Sequence, residues 1–217
     1  MKMQLHREID KLKKSILELS AKVENDVRLA VRAADDYNAE LADEVISREN
    51  VTNNMEVDIE EECLKILALY QPVAGDLRYI IAVLKINQDL ERIGDLAVHI
   101  AERALFLCKQ PKLGIPIKLD IMASRAQGML KKVLDAFVNN DESAARQVFE
   151  EDIEVNKVHK EIFHLVKESI MAKPDTYESM LQILNISRHL ERIADHVTNI
   201  AEDLIYLVEG RIVRHKH

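Results

Sequence analysis

The chain has 217 residues, of which 47% are hydrophobic and 31% charged, with a formal charge of −8; this is the make-up of a folded soluble chain, not a disordered one. The acidic balance excludes a nucleic-acid footprint, which needs a basic face turned toward phosphate. Cys63 and Cys108, the only two cysteines, lack CxxC spacing and read as buried thiols of a reducing cytoplasm rather than a disulfide or a zinc site.

Residues 2–34 are predicted to form a first helix, because Leu5, Ile9, Leu12, Ile16, Leu19, Val23, Val27 and Ala30 recur at helical spacing. Asp35, Asp36, Tyr37 and Asn38 break it, since short polar side chains compete for their own backbone. A second helix is expected to run to about residue 69 and stop before Pro72, which cannot donate to a helix. A third, over about 77–109, has Asp76 as its candidate N-cap. The segment from Gln110 to Pro116 holds two prolines and a glycine and reads as the inter-repeat linker.

The second half follows the same plan. A helix over 118–138, a break at Asn139, Asn140 and Asp141, a helix over 142–172, a stop at Pro174 and a last helix up to Gly210 are expected. The fold class is therefore all-α: two tandem three-helix bundles of six long helices, with a first repeat over 1–110, a linker over 111–117 and a second repeat over 118–217. Short breaks demand antiparallel neighbours. No signal-peptide pattern and no apolar run of membrane-spanning length occur, the longest candidate being Ile80 to Leu84, so a cytoplasmic chain with no membrane span is expected.

The duplication is plainest in the third helix of each half. Residues 90–102 read Leu-Glu-Arg-Ile-Gly-Asp-Leu-Ala-Val-His-Ile-Ala-Glu, and residues 190–202 match them at eight of thirteen positions without a gap. Apolar positions 90, 93, 97, 100, 104 and 107 recur one hundred residues later, forming one stripe. Glu91 and Asp95 lie about 40° apart on the helix, with Glu102 about 20° from Glu91, so three acids share a polar face. Acids one turn apart repel, and a pair kept in both copies, as Glu191 and Asp195, calls for a compensating cation. A metal ion serves, and so does an arginine: Arg92 and Arg192 each precede the aspartate by three residues.

A fainter echo joins the second and fifth helices. Glu49 and Asn53 match Asp152 and Asn156, an acid followed four residues later by an amide, at a shift three residues longer than that of the first match. Both are oxygen donors on one face. Oxygen ligands of this kind admit Mg, Ca, Mn, Fe or Zn. His99 and His196 read as surface or core-edge histidines.

At these residues the chain resembles the PhoU family, bacterial regulators of phosphate uptake and signalling. The likeness rests on the motifs Leu-Glu-Arg-Ile-Gly-Asp and Leu-Glu-Arg-Ile-Ala-Asp and on the run from Pro72 to Arg78, which reads Pro-x-x-x-Asp-Leu-Arg. It implies multinuclear metal clusters, iron or zinc, held by Glu91, Asp95, Glu191 and Asp195. The second-helix pairs, Glu49 with Asn53 and Asp152 with Asn156, complete the ligand set, and asparagine there departs from the all-acid pattern. His99, Glu102, Asn199 and Glu202 stand one turn or more beyond as supporting groups or additional ligands. The likeness further implies a non-enzymatic negative regulator, a homodimer, that contacts the phosphate ABC transporter and the phosphate-sensing histidine kinase, and so reaches the inner membrane through its partners.

Two rival readings share the residues. Glu161 and His164 carry the Glu-x-x-His spacing of ferritin-like di-iron enzymes, but such a site wants two of these motifs in one bundle and only one occurs. A metal-free helical scaffold, its acids solvated or paired with arginine, is the other.

Overall fold

The computed structural model describes residues 2–115 and 117–210; Pro116 of the expected linker, Met1, and residues 211–217 lie outside the described residues. Among them the chain is almost entirely helical and has no strand. The first helix, α1, spans Lys2–Asp36 and buries Leu5, Leu12, Ile16, Leu19, Val23, Val27 and Ala30, the stripe read from sequence. It ends where Tyr37 takes a positive φ of 55°, and the Asn38 side chain caps the next helix by accepting from the Leu41 N–H.

The expected second helix is broken at a single residue. α2 spans Ala39–Ser47 and α3 spans Glu49–Tyr70, with Arg48 between them. The Lys22 ammonium of α1, whose side chain is 17% exposed, donates to Asp26 at 2.7 Å, to Thr52 Oγ1 at 2.7 Å and to the Arg48 carbonyl at 3.2 Å. A cation withdrawn this far from water needs such acceptors, and the break turns the Arg48 carbonyl toward it. Arg48 itself pairs with Glu44 and reaches Asp26 at 3.5 Å. Hydropathy spacing could not reveal this, because the apolar phase runs on through the break.

α3 closes on Gln71 in the left-handed region, and Pro72 follows. α4 then spans Ala74–Cys108, starting earlier than expected. Val73 is extended and supplies no side-chain cap, so the expectation that Asp76 is the N-cap is corrected: it sits inside the first turn, where a carboxylate still favours the positive end of the helix dipole. α5 spans Leu119–Asn139; Asn140 takes the left-handed turn, and Asp141 caps α6, Glu142–Ala172, by accepting from the Ala144 N–H at 3.0 Å. A 3-10 turn at Pro174–Thr176 leads into α7, Tyr177–Glu209, which ends as the sequence predicts on Gly210 with φ 69°.

α1, α2, α3 and α4 pack as one bundle and α5, α6 and α7 as the other, while α4 packs on α7 and α1 on α5 across the divide. One hydrophobic core runs through both. Leu90, Ile93, Ala97, Ile100, Ala104 and Leu107 are fully buried, as are Leu190, Val197, Ile200 and Leu204. Each large side chain so buried contributes about 1.5–3 kcal/mol. The α4–α7 seam is antiparallel and partly polar: Lys85 pairs with Asp203 at 2.7 Å, and His196 Nδ1–H donates to Asp89 at 2.8 Å.

Gly94, where the second copy has Ala194, sets the approach of α4 to α3, since a Cβ there would lie 3.0 Å from Thr52 Cγ2. Thr52 is buried and held by Lys22. Gly94→Ala is therefore expected to lower stability by about 1 kcal/mol, overpacking outweighing the gain in helix propensity. Adding Thr52→Ser, which removes Cγ2 and keeps the hydroxyl, should recover most of the loss in urea unfolding.

Candidate metal centres

The second repeat brings its four expected residues together. Asp152 and Asn156 on α6 face Glu191 and Asp195 on α7. The Asp152 carboxyl is pushed up to about 6 by burial, then by the charges of Asp195 and Glu191. Asp195 is also raised, by burial and by Glu191, with His196 and Arg192 opposing. Asn156 Nδ2–H donates to Asp152 Oδ2 at 2.7 Å, which leaves Asp152 Oδ1 and Asn156 Oδ1 buried without a hydrogen-bond partner. Buried oxygens are rarely left so.

His159, one turn beyond Asn156, joins this group. Its Nδ1 lies 3.0 Å from Ser187 Oγ, and that hydroxyl already donates to the Leu184 carbonyl at 2.9 Å. Nδ1 must then carry the proton, so Nε2 holds the lone pair. Burial pushes the imidazole down in spite of Glu191 nearby, favouring the neutral, ligating form.

The first repeat is arranged differently. Glu91 is raised by burial and by Asp95, with Arg92 opposing and Glu56 adding to the rise. Arg92 lies between the two acids, Nε 3.4 Å from Glu91 and Nη1 3.5 Å from Asp95, with its side chain 54% exposed. Glu56 of α3 is raised by burial and by Glu60, with Arg92 opposing. The register is fixed by Gly94 against Thr52 and by the buried Asn87 amide, which donates to the Glu56 carbonyl at 2.8 Å. Glu49, Asn53 and Glu56 recur at spacings of four and three and share one side of α3.

Glu56 and His159 were missed from sequence, though the shift that aligns Glu49 with Asp152 also aligns them. One lone His against one lone Glu gave no match to notice. Two of the four supporting residues have partners at the seam. Asn199 donates to Asp89 at 3.4 Å, and the His99 ring lies 5.5 Å from the His189 ring, so both belong to the α4–α7 seam. Glu102 is exposed and Glu202 half-buried. Glu161 is exposed and bound to Lys118 at 2.7 Å, and His164 is exposed beside Phe163; a di-iron centre inside the bundle has no footing there.

Among the described residues, no three His, Cys, Asp or Glu side chains converge closely enough to form a complete metal site by themselves. The donor chemistry nonetheless fits a cation in the second repeat: two unpartnered buried oxygens, three mutually repelling carboxylates and an imidazole lone pair. The first repeat offers carboxylates with an exposed arginine already among them.

The fold and these patches define a tandem three-helix-bundle protein that displays an acidic cluster from each repeat. The model of the PhoU domain matches residues 16–104 and again 119–204. The chain is 36% identical over 215 residues to the phosphate-specific transport system accessory protein PhoU homolog of Aquifex aeolicus, covering 99% of this chain and 97% of that one. It is 32% identical to the accessory protein PhoU of Escherichia coli K12, over 98% of this chain and 88% of that one. The crystal structure of PhoU from Pseudomonas aeruginosa superposes with a TM-score of 0.91 at 37% identity, over 95% of this chain and 99% of that one. That of the phosphate transport system regulatory protein PhoU from Streptococcus pneumoniae gives 0.87 at 32%, over 96% and 99%. The chain belongs to the PhoU family.

The raised Asp152 gives a pH signature to the metal-free protein. The folded state holds this proton more tightly than the unfolded chain, so the contribution of Asp152 to metal-free stability is fully present below the ordinary aspartate value near 3.8 and is lost as pH rises through about 6. Asp152→Asn should flatten that fall and stabilise the metal-free protein at pH 7 by about 1 kcal/mol, a figure reduced for partial exposure. Chemical unfolding from pH 4 to 8 in chelator measures it.

Proposed function

We propose that the chain is a metal-binding negative regulator of phosphate uptake and of phosphate-responsive signalling. It works by contact with the phosphate ABC transporter and the phosphate-sensing histidine kinase, and it catalyses nothing itself. The names of its relatives support the setting. Those proteins are accessory or regulatory components of phosphate transport, and no helix among the described residues is long and apolar enough to cross a membrane. We place the chain in the cytoplasm, as a homodimer that reaches the inner membrane through its partners.

The observation that carries the metal reading is the pair of unpartnered buried oxygens on Asp152 and Asn156, set among like charges. Asp152, Asn156, Glu191 and Asp195, with His159, hold the cation of the second repeat; Glu91, Asp95, Glu49, Asn53 and Glu56 serve the first, once Arg92 swings out to solvent. Iron or zinc is the family's metal, and Mg, Mn or Ca also suits such oxygens. A bound cation supplies positive charge between facing helices and offsets repulsion among their carboxylates. The chain's own part is positional: α3 and α6 bring oxygens to α4 and α7, so that neutralised acidic faces can dock.

Apolar side chains are available for contact as well. Leu69, Val73 and Leu77 are exposed around the α3–α4 corner, and Met171, Tyr177 and Leu181 around the α6–α7 corner.

Element analysis of protein purified without chelator is expected to find about one iron or zinc ion per chain or more, with chelation lowering the melting temperature by several degrees. Replacing Asp152 and Asp195 by Ala should remove most of the metal while leaving helicity intact, because neither is on the apolar stripe. Metal-free protein with a melting curve indifferent to chelation overturns the metal reading. Phosphate-dependent repression that survives replacement of Glu91, Asp95, Glu191 and Asp195 overturns its regulatory role.

A further inference from the structure

The duplication relates the two ends of the α4–α7 seam, and they differ in charge. One end is closed by carboxylates, Asp203 taking Lys85 and Asp89 taking His196 and Asn199. At the other end the hundred-residue shift puts His189 where Asp89 stands, Arg103 where Asp203 stands and His99 where Asn199 stands. Both acids are gone. The His99 and His189 rings approach to 5.5 Å, and Arg103 from α4 with Arg188 and Arg192 from α7 surrounds the His189 imidazole.

Two nitrogens at this end are buried without a hydrogen-bond partner, His189 Nδ1 and Arg103 Nε. Among the described residues, none of the five side chains forms an ion pair with a carboxylate, whereas the equivalent arginine Arg92 does. The acids nearest along α4 are committed or turned outward: Asp95 takes Arg92, and Glu102 is exposed. In a chain of net charge −8, three arginines gather here about an imidazole that burial and their charge hold neutral, down to about 4; Asp195 lies within the field of Arg192 without pairing to it. Guanidinium forks match tetrahedral oxyanions in geometry and stay charged at any working pH.

We propose that this end of the seam binds a small oxyanion of the phosphate class. Arg103 from the first repeat and His189 from the second grip it directly. His99, Arg188 and Arg192 ring the entrance. The ion takes the place of the carboxylates that close the opposite end, so its binding ties α4 to α7 and joins the two repeats. The site shares no ligand with the acidic patches and stands whether or not they hold metal.

Calorimetric titration of chelator-treated protein in low-salt buffer tests it, with inorganic phosphate in one arm and phosphatidylcholine vesicles with or without phosphatidic acid in the other. Chelation removes any phosphate that a metal on the acids would hold. The expected result is saturable binding of about one phosphate per chain, weakened at least about tenfold by Arg103→Gln and by His189→Asn and partly kept by Arg103→Lys. Binding confined to phosphatidic acid vesicles and lost in the same variants assigns the oxyanion to a lipid headgroup. Should Arg103→Gln disturb folding by circular dichroism, the exposed pair Arg188→Gln with Arg192→Gln reads the same loss. Failure of both arms, or affinity unchanged by these substitutions in folded protein, overturns the proposal.

Discussion

Each of the two central helices has to satisfy neighbours on several sides at once. α4 buries an apolar stripe in its own bundle, presents Glu91 and Asp95 toward α3, and meets α7 along a partly polar seam; α7 does the same in the second repeat. A helix offers only about 100° of surface to an apolar stripe, so the remaining faces must be polar and still be covered. Small residues make this possible. Gly94, Ala97 and Ala101 on α4, and Ala194 and Ala201 on α7, are buried where neighbouring helices come close.

The repeats are alike where packing rules and unlike where charge rules. Apolar positions recur because both bundles solve the same packing problem, and the acid pair recurs with them. The seam differs. Its two ends are related by an approximate two-fold, yet one carries Asp89 and Asp203 and the other His189 and Arg103. One end is internally neutral and holds the bundles together by itself, while the other carries charge that must be met from outside. A homogeneous duplication would have made both ends inert.

The acid clusters have diverged in the same sense. His159 takes the position that Glu56 has in the first repeat, so the second cluster trades a carboxylate for a neutral nitrogen, and it has bare oxygens where the first has Arg92. The two patches therefore differ in charge and in readiness for a cation even though their Leu-Glu-Arg-Ile motifs are identical. Burial of carboxylates beside one another is costly, and the raised Asp152 records that cost. Sites of this kind trade folding stability for a strong response to whatever neutralises them.

The sequence by itself determined the run of helices, their order, the acid pairs on α4 and α7 and the acid–amide pair on α6. Helical spacing, breaks such as those at Asn38 and Asp141, and terminators such as Pro72 and Gly210 act within a few residues of themselves, so they are legible without the fold. The same local logic failed at Asp76, where an extended Val73 let the helix begin early, and at Arg48, where the cause lies in Lys22 of another helix. Only the tertiary structure decided that His159 and Glu56 join the acids, that His99 and Asn199 stand at the seam, and that three arginines and two imidazoles meet at its end. Those outcomes depend on which helix faces which and at what register, and residues ninety positions apart carry no spacing signal that would announce their meeting.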